Sequence, residues 1–190
     1  MKWIYGMVLK KACKVTTVVL VATVTYILAF NKPADSSSEV RVIYEHVDAS
    51  TLDQAHCLAT NLYFEAGYQD RREQEAIAHV VLNRVEDSSF PDTICGVVYD
   101  GVHKRNGLPY RNKCQFSWYC DGKADTIENH TLYDNSMRIA LQTIISRKDD
   151  NLTDFTNNSL WYHANYVRPY WADDYKFQIN EGLHIFYSRQ

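Results

Sequence analysis

The chain has 190 residues, of which 46% are hydrophobic and 23% charged, and a formal net charge of -3. That length fits one compact domain with an N-terminal appendage better than two full domains, and that balance excludes a disordered chain. Lys and Arg do not cluster beyond the N-terminus, so nucleic acid is not an expected partner.

The N-terminus reads as a targeting segment. Lys2, Lys10, Lys11 and Lys14 precede an uncharged run from Val15 to Phe30, and Asn31-Lys32-Pro33 ends it. The run falls between the roughly 20 apolar residues of a spanning helix and the core of about 7 to 15 of a signal peptide. No small-x-small cleavage pattern follows, so the expectation is an uncleaved signal anchor over residues 1–31. The lysines stay inside by the positive-inside rule, which makes the membrane a partner and the rest of the chain extracytoplasmic (periplasmic). Thr16, Thr17, Thr23 and Thr25 make the run only modestly hydrophobic. In this it resembles the signal-anchor-release endolysins of bacteriophages. Residues 32–47, with Asp35-Ser36-Ser37-Ser38, read as a flexible linker, and the folded domain is expected over 48–190.

Within that domain Leu52, Ala55, Leu58, Ala59 and Leu62 recur at helical spacing up to Phe64, with Ser50 and Asp53 as the start signal. Glu65 then falls at the C-terminal end of the helix. A second helix is expected from about Arg72 to Val85 on Ala76, Ile77, Val80 and Val81. Phe90-Pro91 restarts a short helix with Ile94, Val97 and Val98. From Gly101 to Asp125 the periodicity fails, which indicates a long functional loop or a small hairpin. Asn129 to Arg147 is helical again, and Ser159–His163 and Leu183–Tyr187 look like short strands. The fold class expected is α+β, mostly helical.

Cys57, Cys95, Cys114 and Cys120 lie on the exported side of the anchor. Four cysteines outside the cytosol suit two disulfides, with three possible connectivities and Cys114–Cys120 as the local pair. Free thiols are an alternative. A metal site is the weaker one, since no two of them stand two to four residues apart.

The segment from Asn61 to Val85 is where chemistry concentrates. Glu65-Ala66, Gln74, Ala76-Ile77-Ala78 and Asn83-Arg84-Val85 fit an aromatic-x-Glu-Ala-Arg-Gly-Glu motif followed by Gly-Gln-x-Ala-Val-Ala and Val-x-Asn-Arg-Val. Phe90-Pro91, Ile94-Cys95, Val97-Val98, Gln115-Phe116-Ser117-Trp118, Trp161-Tyr162-His163, Pro169, Trp171, His184 and Phe186-Tyr187 continue the pattern in order. Over about residues 52–187 the chain resembles the spore cortex-lytic cell wall hydrolase family (SleB/CwlJ type). The resemblance implies a lysozyme-like domain acting as a lytic transglycosylase on the MurNAc–GlcNAc bonds of peptidoglycan, with no metal and no cofactor. The chain departs from the motif at Gly67, Tyr68 and Gln69, where the family has Arg, Gly and a second Glu.

The residues agree with that implication. Breaking a glycosidic bond needs an acid for the departing oxygen, and a carboxyl at the end of an apolar helix beside Tyr63 and Phe64 can hold its proton near neutrality. Glu65 is therefore the candidate catalytic acid. Hydrolysis calls for a second carboxylate, a role closed to Gln69, whereas a transglycosylase needs only one. Gln115, Ser117, Tyr162 and His163 are candidates for binding sugar hydroxyl and acetamido groups, and Trp118 and Trp171 for stacking on sugar faces. Each also has a structural role open to it, His184 likewise, and Asn83-Arg84 suit holding neighbouring carbonyls. Two other functions compete. The seven histidines permit a zinc amidase, although no His-Glu-x-x-His helix occurs. The loss of Arg and Glu at Gly67 and Gln69 permits a noncatalytic peptidoglycan-binding protein.

Overall fold

The computed structural model describes residues 47–190. The anchor expected over 1–31 and nearly all of the linker lie outside the described residues. Among the described residues no helix is long and apolar enough to cross a membrane.

Helix α1 (Ala49–Ala66) starts at Asp48, whose carboxylate accepts from the Thr51 amide at 2.8 Å and the Thr51 hydroxyl at 2.6 Å. The start signal therefore lies two residues before the expected Ser50, because Asp48 is the side chain that reaches a free amide of the first turn. Helix α2 (Arg71–Glu86) is capped in the same way by Asp70, which accepts from the Glu73 amide at 2.9 Å. Helix α3 (Ile94–Val98) is capped by Thr93, and helix α4 (His130–Lys148) by Asn129. The apolar stripes named above meet as one core. Leu58, Leu62, Ile77, Val80, Val81, Val97 and Val98 are fully buried there, with Met137, Ala140, Leu141 and Ile144 of α4 packed around them.

The stretch with failed periodicity holds a hairpin, β1 (Gly101–His103) and β2 (Pro109–Cys114), followed by a 3-10 turn over Ser117–Cys120. A three-stranded antiparallel sheet completes the domain in the order β3-β5-β4, with β3 at Trp161–Ala164, β4 at Lys176–Glu181 and β5 at His184–Ser188. The central strand carries the buried Phe186, and its neighbours place Tyr162 opposite Phe186 and Ala164 opposite His184. Strand β4 is not legible in the sequence. It is an edge strand with Phe177 exposed, so no apolar alternation is required of it.

Cys57 on α1 bonds to Cys95 on α3, and Cys114 on β2 to Cys120 in the 3-10 turn. All four cysteines are paired, the local pair as expected. The first bond ties two core helices together, and the second fixes the hairpin to the segment that carries Ser117 and Trp118.

Candidate active site

Glu65 stands one residue before the end of α1, where the helix runs out of the core into a trough. A cavity of about 570 Å³ lies on one side, lined by Glu65, Arg84, Gln115, Ser117, Tyr162 and His184 among others. A second, of about 350 Å³, lies on the other side against Tyr68, Gln69 and Glu128. Phe64, Glu65 and Ala124 line both, so the carboxyl stands where the two halves meet. A polymer laid along the trough would cross it.

The carboxyl is held from above by Tyr162 on β3, whose hydroxyl donates to Glu65 Oε2 at 3.0 Å. Burial raises the Glu65 carboxyl above the ordinary glutamate range. The Tyr162 hydrogen bond and the charges of His184 and Arg84 work against that rise without cancelling it. The Tyr162 hydroxyl, buried and beside Glu65, is pushed well above the usual tyrosine range, so it remains a donor. This combination suits a general acid: a carboxyl that holds its proton to higher pH than an exposed glutamate, oriented by a group that also steadies the carboxylate once the proton has gone.

A prediction follows from the sign of that hydrogen bond. Tyr162→Phe removes a stabiliser of the carboxylate, so Glu65 stays protonated to higher pH. The alkaline limb of kcat/KM moves up by about half a unit to one unit. Rates on purified peptidoglycan from pH 4 to 9 measure it, and a limb that moves down contradicts the arrangement.

Of the other expected residues, Gln115 and Ser117 are exposed on the cavity wall. Among the described residues the Gln115 side chain forms no hydrogen bond, leaving its amide free for a ligand. Trp118 lines the cavity but is only 8% exposed. Its Nε1 donates to the buried Asn61 at 2.9 Å, and its ring stacks on Phe64 at 4.7 Å. It therefore supports the wall beneath Glu65, and one ring face is already taken. His163 also reaches the wall with both ring nitrogens engaged, Nε2 with the Tyr187 hydroxyl at 3.0 Å and Nδ1 with the Ala164 carbonyl at 2.9 Å. Trp171 stands outside the cavity, against the expectation. It packs edge-on against His163, Tyr175 and Tyr187, because the 3-10 turn over Tyr170–Asp174 folds it back onto the sheet.

Several wall residues are invisible to sequence reading. Tyr166, 79% exposed, offers a free ring in the cavity where Trp171 does not. Asp121, Lys123 and Asp125 come from the loop after the 3-10 turn. Asn83 and Arg84 do hold carbonyls, Asn83 Nδ2 that of Ser159 at 3.1 Å and Arg84 Nε that of Leu160 at 2.8 Å. Arg84 does more than that. Its guanidinium sits 5.2 Å from the rings of both Phe90 and Phe116, and its buried Nη1 has no partner among the described residues. It thus brings a positive charge to the cavity from inside the core. The other large cavity, about 600 Å³ against Asp87, Lys176 and Arg189, lies apart from Glu65, and Arg189 there is spent on Asp87 at 2.9 Å.

The sequence profile of one family, described as cell wall hydrolase, matches residues 68–187. The chain belongs to the cell wall hydrolase family. It is accordingly an enzyme that acts on peptidoglycan. The matched span begins just after Glu65 and does not include it. Two solved structures have a similar fold. The catalytic domain of the germination-specific lytic transglycosylase SleB from Bacillus anthracis is 24% identical, with 75% of this chain and 98% of that chain covered and a TM-score of 0.52. The catalytic domain of the Bacillus cereus SleB protein is also 24% identical, over 75% of this chain and 94% of that chain, with a TM-score of 0.53. These likenesses bear out the expected lysozyme-like α+β fold. Among curated proteins none matches. Among the described residues of this cell wall hydrolase, no group of three His, Cys, Asp or Glu side chains is arranged to hold a metal ion.

Proposed function

We propose that this cell wall hydrolase is a lytic transglycosylase that cleaves MurNAc–GlcNAc bonds with Glu65 as acid and then base. The observation that carries the proposal is the Glu65 carboxyl, raised by burial above the ordinary glutamate range, at the meeting point of two cavity halves and hydrogen-bonded to Tyr162. Glu65 gives its proton to the glycosidic oxygen as the bond from that oxygen to the MurNAc anomeric carbon breaks. The resulting carboxylate takes the proton of the MurNAc C6 hydroxyl, and that oxygen closes on the anomeric carbon. The product is a 1,6-anhydro sugar, the enzyme regains its proton, and no water is consumed. Gln69, where a second carboxylate would stand in the motif, favours this single-carboxyl route, as does the transglycosylase name of the B. anthracis structure. Gln115 and Ser117 bind polar groups of the glycan, and Tyr166 is placed to stack on a sugar face.

One observation favours a second route. Asp125 lines the same cavity as Glu65 and could activate water for hydrolysis, with Asp121 beside it. Mass spectrometry of purified sacculi digested by the full-length protein separates the two. Anhydromuropeptides are expected. Reducing-end MurNAc that disappears with Asp125→Asn would establish hydrolysis, and freed stem peptides with intact glycan would overturn both. We also propose that the domain works outside the cytoplasm, tethered by residues 1–31. The lysine-flanked run from Val15 to Phe30 and the two disulfides support that placement.

A further inference from the structure

Glu73 is a carboxylate that the proposed reaction does not use, yet it is 1% exposed. It sits in the first turn of α2, where the helix amides favour negative charge, and its Oε1 takes two hydrogen bonds from the turn into β5. The Leu183 amide donates at 3.0 Å and His184 Nδ1 at 2.6 Å. The turn is shaped around it: Gly182 has φ +56, and a Cβ there would run into the Glu73 carboxylate. With Nδ1 committed to Glu73, the orientation of the ring is fixed and Nε2 is left without a protein partner among the described residues. The same imidazole lines the Glu65 cavity and meets the Tyr162 ring edge to face at 5.1 Å. In the family motif the residue before the Gln is Gly. Here it is Glu73, in a chain that has Gln69 where the motif has its second Glu.

We propose that Glu73 is a positioning residue that orients His184, and that the imidazole so held steadies the Glu65 carboxylate formed when the acid has given up its proton. The inference rests on the proposed role of Glu65. Three groups face that carboxyl, Tyr162 from β3, Arg84 from α2 and His184 from β5, while Asp121, Lys123 and Asp125 border the cavity from its loop wall. Around His184 stand Glu73 on α2, Tyr162 on β3 and Glu181 across from it on β4, and Glu181 is itself engaged with Arg72 at 2.8 Å. Arg84 thus brings a cation to the reacting end, and His184 brings an imidazole that the Glu73 carboxylate holds from behind at Nδ1. Held in this way, the ring presents its other nitrogen to the trough. Removing either partner takes the stabilising influence of His184 from Glu65, so the acid holds its proton to higher pH.

The test uses the full-length protein on purified sacculi, with Glu73→Gln, His184→Gln and the double variant. Circular dichroism establishes folding of each. Both single variants are expected to lose about tenfold in kcat, with the alkaline limb of the pH–rate profile moved up by about half a unit to one unit. The double variant should be no worse than either single one, because the two act as a unit. A folded His184→Gln whose limb stays at the wild-type pH overturns the inference, whatever becomes of Glu73→Gln. Glu65→Gln, run in parallel, separates the two levels. If it is inactive while the limbs of the other variants stay in place, only this inference falls. If it keeps wild-type activity, the proposed function falls and takes this inference with it.

Discussion

Glu65→Gln is expected to lower glycan cleavage by about 10²- to 10⁴-fold, the range lost when a general acid is removed. The substitution keeps the side chain's length and an oxygen to accept from Tyr162, which donates to Glu65 at 3.0 Å, so the fold and the wall of the trough should persist. What it removes is the proton. Initial rates of soluble fragment release from purified sacculi, with thermal unfolding as a control, measure the effect. Retention of more than a tenth of the wild-type rate in a folded variant would take Glu65 out of the reaction. The pH dependence of the wild type has a defined sign as well. The acid must be protonated to act, so activity falls as pH rises through its pKa. Burial places that limb above the ordinary glutamate range, at higher pH than an exposed carboxyl would give.

The second large effect is on stability. Replacing Cys57 and Cys95 together by Ala opens a loop whose ends are 38 residues apart in sequence. In the chain-entropy account the bond between them contributes about 4 kcal/mol, against about 2 for the short loop between Cys114 and Cys120. For a domain of this size the first loss lowers Tm by about 10 °C. Thermal unfolding by circular dichroism, oxidised and reduced, checks both the size and the order. An equal change for the two pairs would contradict the chain-entropy order, and none for the first would show that α1 and α3 hold together by packing alone.

The helices were legible because their signals are local. Apolar residues recur along α1, α2 and α4 at a spacing that only a helix turns to one side, although the side chain that caps α1 is Asp48 and not the expected Ser50. The end of α1 could likewise be placed beside Glu65 from the sequence, and with it the apolar setting that raises the carboxyl above the ordinary glutamate range. The local disulfide was legible from spacing, and the long one was not, since four cysteines admit three pairings until α1 and α3 are packed. The edge strand β4 escaped because one exposed edge imposes no pattern on its residues.

The site divides in the same way. Glu65 as candidate acid, and the Gln115, Ser117, Tyr162 and His163 that share its cavity wall, were named from their types and order along the chain. Which aromatic ring is free was decided only by the fold, for Trp118 is spent on Phe64 and Asn61, and Trp171 on the sheet, while Tyr166 is exposed. The pairing of Glu73 with His184 joins residues 111 apart. A carboxylate in a first helical turn looks in sequence like an ordinary solvated residue. Only the antiparallel return of β5, with Gly182 making room at the turn, puts an imidazole on it and buries both. The sequence by itself thus determined the helices and named Glu65 as the candidate acid. The tertiary structure decided what surrounds that acid, because burial and charge depend on which distant segments are brought together.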